Sequence, residues 1–132
     1  MGLSEPNPEL DALAQSVVSA AFEVHRFLGP GYLESVYEEA LAVEFQARDM
    51  SFERQPPIRV QYKGYPIGEG RGDFLVGGEL LVELKAVEQL APIHTAQVIS
   101  YLKATQLRLG LLKNFNVAVF REGIRRIVLS AP

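Results

Sequence analysis

The chain has 132 residues, 48% hydrophobic and 22% charged, which predicts a single soluble globular domain with its own core. No apolar run is long enough to span a membrane, and the N-terminus lacks a signal-peptide pattern, so we expect a cytoplasmic protein. The absence of cysteine excludes disulfides, thiolate catalysis and cysteine-based zinc sites.

The net charge of −3 is unevenly distributed along the chain. Residues 1–50 carry nine acids and two bases, whereas residues 51–132 carry seven acids and eleven bases. The basic residues of the last third are compatible with a phosphate-facing surface, and equally with an ordinary solvated one. The acidic N-terminal half argues against a broad duplex-binding surface, so we expect any nucleic-acid contact to be narrow, with a single strand or an end.

Two helices are predicted in the N-terminal part of the chain, after a disordered segment at residues 1–6. Asn7 is a favourable N-cap and Pro8 suits the first helical position, so the first helix begins there. Apolar residues then recur at helical spacing until Gly29-Pro30-Gly31, which ends the helix. A second amphipathic helix is predicted from about Tyr32 to Arg48.

Two acids lie on one flank of the predicted second helix. Glu34 and Glu38 are four residues apart, with Tyr37 between them. On the pattern alone, the simpler interpretation is an acidic flank that faces solvent.

The segment after the helices predicts a strand at the margin of a sheet. Residues 52–63 have strand character, but Pro56-Pro57 cannot donate the hydrogen bonds of a central strand. We therefore predict an edge strand here, followed by a turn and lead-in over residues 64–72.

A hairpin around Gly77-Gly78 is the central feature of the sequence. The two apolar runs that flank this glycine pair predict two mostly buried strands. Asp73, Glu83 and Lys85 nevertheless lie within these runs, where charged residues are rare unless they are paired or bind a metal. Because side chains alternate along a strand, Glu83 and Lys85 point to the same face.

The register of this hairpin decides whether the two acids meet. A two-residue loop places Asp73 and Glu83 on opposite faces, whereas a three-residue loop at 77–79 pairs Val76 with Leu80 and Asp73 with Glu83. We predict the three-residue loop, because a glycine supplies the positive-φ position that it requires. Since opposed carboxylates repel each other, this register implies a bound cation between them.

A third helix is predicted from Pro92 to about Gln106. His94, Gln97 and Tyr101 share one of its faces, which is either a functional surface or simply the polar edge of an amphipathic helix. The remaining predicted elements are a strand at 109–115 and a terminal hairpin whose strands, 117–120 and 124–129, flank a turn at 121–123.

Two motifs carry a resemblance to known families. Gly31-x-x-Glu34-x-x-Tyr37 resembles the motif of the GxxExxY family, small proteins assigned to the PD-(D/E)XK nuclease superfamily. Asp73…Glu83-Leu84-Lys85 resembles the core signature of that superfamily, although Arg71-Gly72 stands where a proline usually precedes the aspartate. The similarity covers roughly Leu10 to Leu129 and includes Arg54-Gln55, Tyr62-Lys63-Gly64, Gln97-x-x-x-Tyr101-Leu102, Gly110-Leu111-Leu112 and Asn114-Phe115.

The resemblance implies an α/β, restriction-endonuclease-like core, with a central mixed sheet of about five strands flanked by three helices. It also implies hydrolysis of phosphodiester bonds in DNA or RNA with Mg²⁺ or Mn²⁺. In this interpretation Asp73 and Glu83 hold the metal, Glu34 adds a ligand, and Lys85 orients the attacking water or stabilises the transition state.

The Gln97–Tyr101 pair resembles one in the RecB-like branch of the superfamily, where these residues support the site and the nearby nucleic-acid strand. We predict substrate contacts for both residues, and also for Tyr37 and Arg71. Three alternatives remain: a catalytically silent nuclease-fold module that binds nucleic acid or a protein, a buried ion cluster without metal, and a structural homodimer subunit.

Overall fold

The computed structural model describes residues 7–129, so the predicted disorder of residues 1–6 lies outside the described part. Within these residues there are three α-helices: α1 (Pro8–Leu28), α2 (Glu34–Ala47) and α3 (Pro92–Thr105). The same described part contains seven strands: β1 (Phe52–Arg54), β2 (Pro57–Tyr62), β3 (Tyr65–Arg71), β4 (Phe74–Val76), β5 (Leu80–Lys85), β6 (Leu109–Asn114) and β7 (Ile124–Val128). None of the described helices has the length and apolarity that a membrane span requires.

Five of the strands form a mixed sheet in the order β1-β4-β5-β6-β7. β5 and β6 are parallel, while the other neighbouring pairs are antiparallel. Parallel strands need a long crossover connection, which α3 supplies between β5 and β6. The predicted α/β fold of three helices and a five-stranded mixed sheet is therefore confirmed.

The sheet has a separate hydrophobic core on each face. Helices α1 and α2 pack on one face, where Leu80, Val82 and Leu84 of β5 are buried with them. Helix α3 packs on the other face, where Leu81 of β5 is buried. Side chains alternate along a strand, so Glu83 follows Leu81 to the α3 face.

The predicted boundaries of α1 are confirmed. Asn7 Oδ1 accepts the Leu10 N–H at 2.8 Å, which satisfies one of the free donors of the first turn. The helix ends at Gly29, whose φ of 67° is readily adopted by glycine. Helix α2 begins later than predicted, at Glu34, because Leu33 is still extended, with φ −67° and ψ 154°.

The predicted edge strand over 52–63 is corrected, because the chain breaks at Gln55, where φ is 52°. β1 is the edge of the main sheet, whereas β2 leaves it and pairs with β3 in a two-stranded sheet of its own. Residues 65–71 are therefore a strand, not the predicted lead-in.

The predicted register of the central hairpin is confirmed. Val76 pairs with Leu80, and the intervening loop contains Gly77 and Gly78, with φ of 60° and 71°. Phe74 pairs with Val82, so the next pair outward along the same ladder is Asp73 with Glu83.

The predicted terminal hairpin is also corrected. Phe120–Gly123 forms a 3₁₀ turn, and β7 pairs with β6 instead. Buried Lys113 explains part of this arrangement, because its ammonium donates to the Phe120 carbonyl and lies 3.9 Å from the centre of the Phe120 ring. A side chain at Gly123 would collide with the Asn114 carbonyl, so the turn can pack closely on β6 only with glycine there.

Candidate active site

The hairpin register brings the Asp73 and Glu83 carboxylates together through reciprocal hydrogen bonds. The main-chain N–H of Asp73 donates to Glu83 Oε2 at 2.8 Å, and the main-chain N–H of Leu84 donates to Asp73 Oδ2 at 2.7 Å. Within residues 7–129, Oδ1 of Asp73 and Oε1 of Glu83 make no hydrogen bond. Each acid is thus held by one oxygen and has the other available to a ligand.

Burial and mutual repulsion make this pair of carboxylates reluctant to carry two negative charges. Burial, and to a lesser extent the charge of Asp73, raises the pKa of Glu83 to about 8. Burial also raises the pKa of Asp73 to about 6, although the hydrogen bond from Leu84 opposes this rise. The last proton belongs to the pair, not to either side chain, and it is retained close to neutral pH unless a cation replaces it.

Gly72 allows the two carboxylates to approach each other. A Cβ at this position would lie 3.0 Å from Glu83 Oε2 and 2.9 Å from Leu81 Cδ1. The main-chain N–H of Gly72 also donates to the Pro56 carbonyl at 3.0 Å, which holds the segment before Asp73 in place. This requirement was not recognised from the sequence, although a glycine immediately before the motif aspartate was the available signal.

Lys85 lies near the acids without pairing directly with any of them. Its side chain is half-buried, and it forms no ion pair with an acid in the described part of the chain. Burial is the main cause of the raised pKa values of Glu34, Asp73 and Glu83, and the positive charge of Lys85 opposes each rise. The ammonium therefore remains free to interact with a substrate.

Glu34 reaches the same region from the first residue of α2. Its side chain is half-buried, and burial raises its pKa while Lys85 lowers it. The charge of Glu34 also contributes to the raised pKa values of Asp73 and Glu83, which shows that the three acids share one electrostatic environment.

Tyr101 and Gln97 approach the acids from α3. Burial raises the pKa of Tyr101, and the charges of Glu83 and Asp73 raise it further, so its hydroxyl keeps its proton. Gln97 Nε2 donates to the Tyr101 hydroxyl over a long distance of 3.5 Å. The ring packs so closely on β3 that a Cβ at Gly70 would lie 2.7 Å from the hydroxyl oxygen.

The sequence model of the PD-(D/E)XK nuclease superfamily matches residues 11–127, from α1 to β7. The chain belongs to this superfamily. No curated protein and no solved structure gave a significant match to it.

PD-(D/E)XK nucleases generally use divalent metals, and the carboxylate pair fits such an ion. Mg²⁺ prefers oxygen ligands and often takes only one or two carboxylates, with water and substrate oxygens completing its coordination. Asp73 and Glu83 could supply two such ligands from adjacent strands, since within residues 7–129 each has one oxygen without a hydrogen-bond partner. Across residues 7–129, however, no cluster of three or more His, Cys, Asp or Glu side chains could hold a metal ion.

The position of Tyr37 corrects the prediction that it contacts substrate. Its side chain is completely buried and stacks on Phe115, with 4.7 Å between ring centres. Its hydroxyl donates to the Gly29 carbonyl at 2.6 Å and accepts the Tyr32 N–H at 3.2 Å. Tyr37 therefore holds the loop between α1 and α2, which in turn places Glu34 at the start of α2.

An ion pair between α2 and β1 was also missed from the sequence. Glu38 does not lie on a free acidic flank, because Arg54 Nη2 donates to its Oε2 at 2.8 Å. Arg71 stays exposed, and its Nη1 donates to the Gln55 carbonyl at 2.9 Å. The Gln55 N–H in turn donates to the Asp73 carbonyl at 2.8 Å, so Arg71 is linked through Gln55 to the main chain of Asp73.

Proposed function

We propose that this protein is a divalent-metal-dependent nuclease that hydrolyses phosphodiester bonds in DNA or RNA. The observation that carries the proposal is the reciprocal hydrogen bonding of Asp73 and Glu83, with Lys85 on the same face of β5, in a chain of a nuclease superfamily. We also assign the chain to the GxxExxY family within that superfamily. This assignment is supported by the position of Glu34 at the start of α2.

In this proposal the free oxygens of Asp73 and Glu83 would bind Mg²⁺ or Mn²⁺, and Glu34 would contribute through a water molecule. When bound, the metal lowers the pKa of a coordinated water and polarises the phosphate. The two acids can then lose their shared proton, because a positive charge relieves their repulsion.

In this proposal Lys85 supplies a positive charge next to the phosphate that is attacked. Its ammonium forms no direct ion pair with any acid between residues 7 and 129, so it can stabilise the negative charge that develops on the phosphate or orient the attacking water. The protonated Tyr101 hydroxyl and the Gln97 amide offer hydrogen-bond donors to the substrate backbone from α3.

Cleavage of labelled oligonucleotides tests this function. Single-stranded and duplex DNA and RNA are incubated with a titration of Mg²⁺ or Mn²⁺, and with EDTA. We expect cleavage that depends on metal and falls about 100- to 1000-fold or more in Asp73→Asn and in Lys85→Met. Asp49→Asn is the matched control, because Asp49 is exposed and its φ of 55° suits asparagine.

Metal-independent cleavage, or full activity in both site variants, contradicts the proposal. Binding of nucleic acid without cleavage at any metal concentration instead supports the alternative of a catalytically silent nuclease-fold module.

A further inference from the structure

The two-stranded sheet of β2 and β3, here called the hairpin arm (57–71), presents aromatic rings to solvent. Tyr62 and Tyr65 pair directly across its turn, yet they are 59% and 72% exposed. The turn between them is Lys63-Gly64, with φ of 50° and 82°, which keeps both rings at the tip of the arm. Two large rings at an exposed tip contribute little to folding, so they are available for binding.

Both rings lie on the side of the arm that faces α3. Ile58 on β2 is buried in the core beneath α3, and alternation places Val60 and Tyr62 on the same side of the strand. The register shift between Val60 and Gln61 leaves Ile67 on β3 without a cross-strand partner. The side chains of β2 therefore continue to alternate between its two sides. Tyr65 shares this side because it is the cross-strand partner of Tyr62.

A groove lies between the arm and α3, beside Val60, which shares this side of β2 with Tyr62. Its volume is about 620 Å³, and it is lined by Arg59, Val60, Gln61, Ser100, Lys103 and Ala104. The adjacent turn of α3 carries Gln97 and Tyr101, and Tyr101 rests on Gly70 of the arm. Gly70 is two residues before Gly72, whose Cβ would lie 3.0 Å from Glu83 Oε2, so this end of the arm adjoins the candidate active site.

The charge of the molecule is segregated in the same way. Helices α1 and α2, over residues 8–47, carry seven acids and one base. The arm and α3, over residues 57–71 and 92–105, carry four bases and one acid. The one acid, Glu69, is already paired with two of these bases: its Oε1 lies 3.7 Å from Arg59 Nε, and its Oε2 lies 3.9 Å from Arg71 Nη2. A polyanion is therefore repelled by the α1–α2 face and attracted to the groove beside α3.

We propose that the hairpin arm binds a single-stranded nucleic acid, whose unpaired bases stack on Tyr62 and Tyr65. The phosphates then pass Lys103 on α3 towards the carboxylates. Internal base pairs of a duplex cannot cover these rings, because their bases already stack on each other. The proposal names the substrate class of the proposed nuclease and so rests on that function, but binding can be measured separately from cleavage.

Binding of single strands by the hairpin arm is tested by fluorescence anisotropy. The parent protein carries Asp73→Asn, which is expected to prevent cleavage, and the buffer contains EDTA. The probes are fluorescein-labelled oligonucleotides of about 12 nucleotides, as single-stranded DNA, single-stranded RNA and a blunt duplex. We expect Tyr62→Ala and Tyr65→Ala each to weaken single-strand binding roughly five- to a hundredfold. Tyr62→Phe should bind within about twofold of the parent, because stacking needs the ring and not the hydroxyl.

Two further variants separate stacking from general effects. Phe27→Ala is the matched control, because Phe27 is a 79% exposed aromatic residue on the acidic helix α1, and its loss should leave binding unchanged. Lys103→Ala should reduce the slope of log affinity against log salt concentration by about 0.7, as expected for one phosphate contact to a single strand.

The proposal is overturned if the Tyr62→Ala/Tyr65→Ala double variant binds single strands as tightly as the parent. It is also overturned if the duplex binds as tightly as the single strands do. If the protein cleaves duplexes and substitution of these tyrosines does not change the rate, the nuclease proposal is supported and the role of the arm is contradicted. If binding depends on the tyrosines but no cleavage occurs, the role of the arm is supported and the nuclease proposal is contradicted.

Discussion

Replacing Glu83 with glutamine should stabilise the metal-free protein although it should abolish the proposed metal-dependent activity. The amide keeps an oxygen that can accept the Asp73 N–H, which Glu83 Oε2 now accepts at 2.8 Å. It removes one of two charges that repel each other, and its N–H₂ group can donate to the free Asp73 oxygen. We therefore expect Glu83→Gln to retain the hairpin while relieving its electrostatic strain.

The size of the effect follows from the raised pKa of Glu83. A carboxyl with a pKa of 4.5 in the unfolded chain and about 8 in the fold is disfavoured on folding by about 4 kcal/mol at pH 8. This cost is absent below pH 4.5, where the carboxyl is protonated in both states. It grows as the pH rises towards about 8, where the folded protein also loses the proton. A buried amide must also be desolvated. We therefore expect Glu83→Gln to raise the free energy of unfolding at pH 8 by roughly half of this cost, about 2 kcal/mol.

Thermal denaturation of metal-free protein at about pH 5 and about pH 8 measures this difference. For a domain of this size, about 2 kcal/mol raises Tm by roughly 6 to 10 °C, and we expect that increase near pH 8 only. Glu79→Gln is the matched control, because Glu79 is an exposed acid in the turn of the same hairpin. Mg²⁺ at about tenfold above its dissociation constant should stabilise the wild type by about 1.4 kcal/mol, and Glu83→Gln by less.

The reasoning is refuted if Glu83→Gln is less stable than the wild type near pH 8 while Glu79→Gln is unchanged. It is equally refuted if the difference between variant and wild type is the same at both pH values. Either result would mean that the two carboxylates do not repel each other in the fold.

Three other substitutions test separate parts of the structure. Gly72→Ala should lower the free energy of unfolding by about 1–3 kcal/mol, measured by thermal denaturation, and should impair cleavage. Gly68→Ala is the control and should lower it by less than about 0.5 kcal/mol, because no described atom lies within 4 Å of the new Cβ. Burial lowers the pKa of Lys113 to about 8, so wild-type stability in urea should rise by up to about 3 kcal/mol between pH 8 and pH 10.5, and Lys113→Met should lack this rise. Tyr37→Phe should lose about 1–2 kcal/mol of stability with unchanged nucleic-acid affinity, and a weakened affinity would restore the predicted substrate contact.

The parts of the fold that were predictable depend on residues close together in the chain. The cap at Asn7 and the stop at Gly29 define α1 within one turn at each end. The register of the central hairpin depends on its loop, where Gly77 and Gly78 both adopt positive φ. This local geometry was sufficient to place Asp73 opposite Glu83.

The errors occurred where a distant contact decides the conformation. Gln55 turns the chain out of the main sheet, and its N–H is satisfied by the Asp73 carbonyl, a partner that the local pattern does not reveal. Tyr37 has the sequence position of a site residue, but the fold places Phe115 against its ring and buries it. Neither outcome follows from periodicity, because both depend on which elements pack together.

The sequence by itself determined the helices, the central hairpin and the identity of the acids, because these depend on caps, turns and alternation over a few residues. Only the tertiary structure decided that Gly72 must lack a side chain, that Tyr37 is internal, and that β2 and β3 leave the main sheet as an arm beside α3. These features depend on atoms that are distant in the chain and share limited space after folding, so no local pattern encodes them.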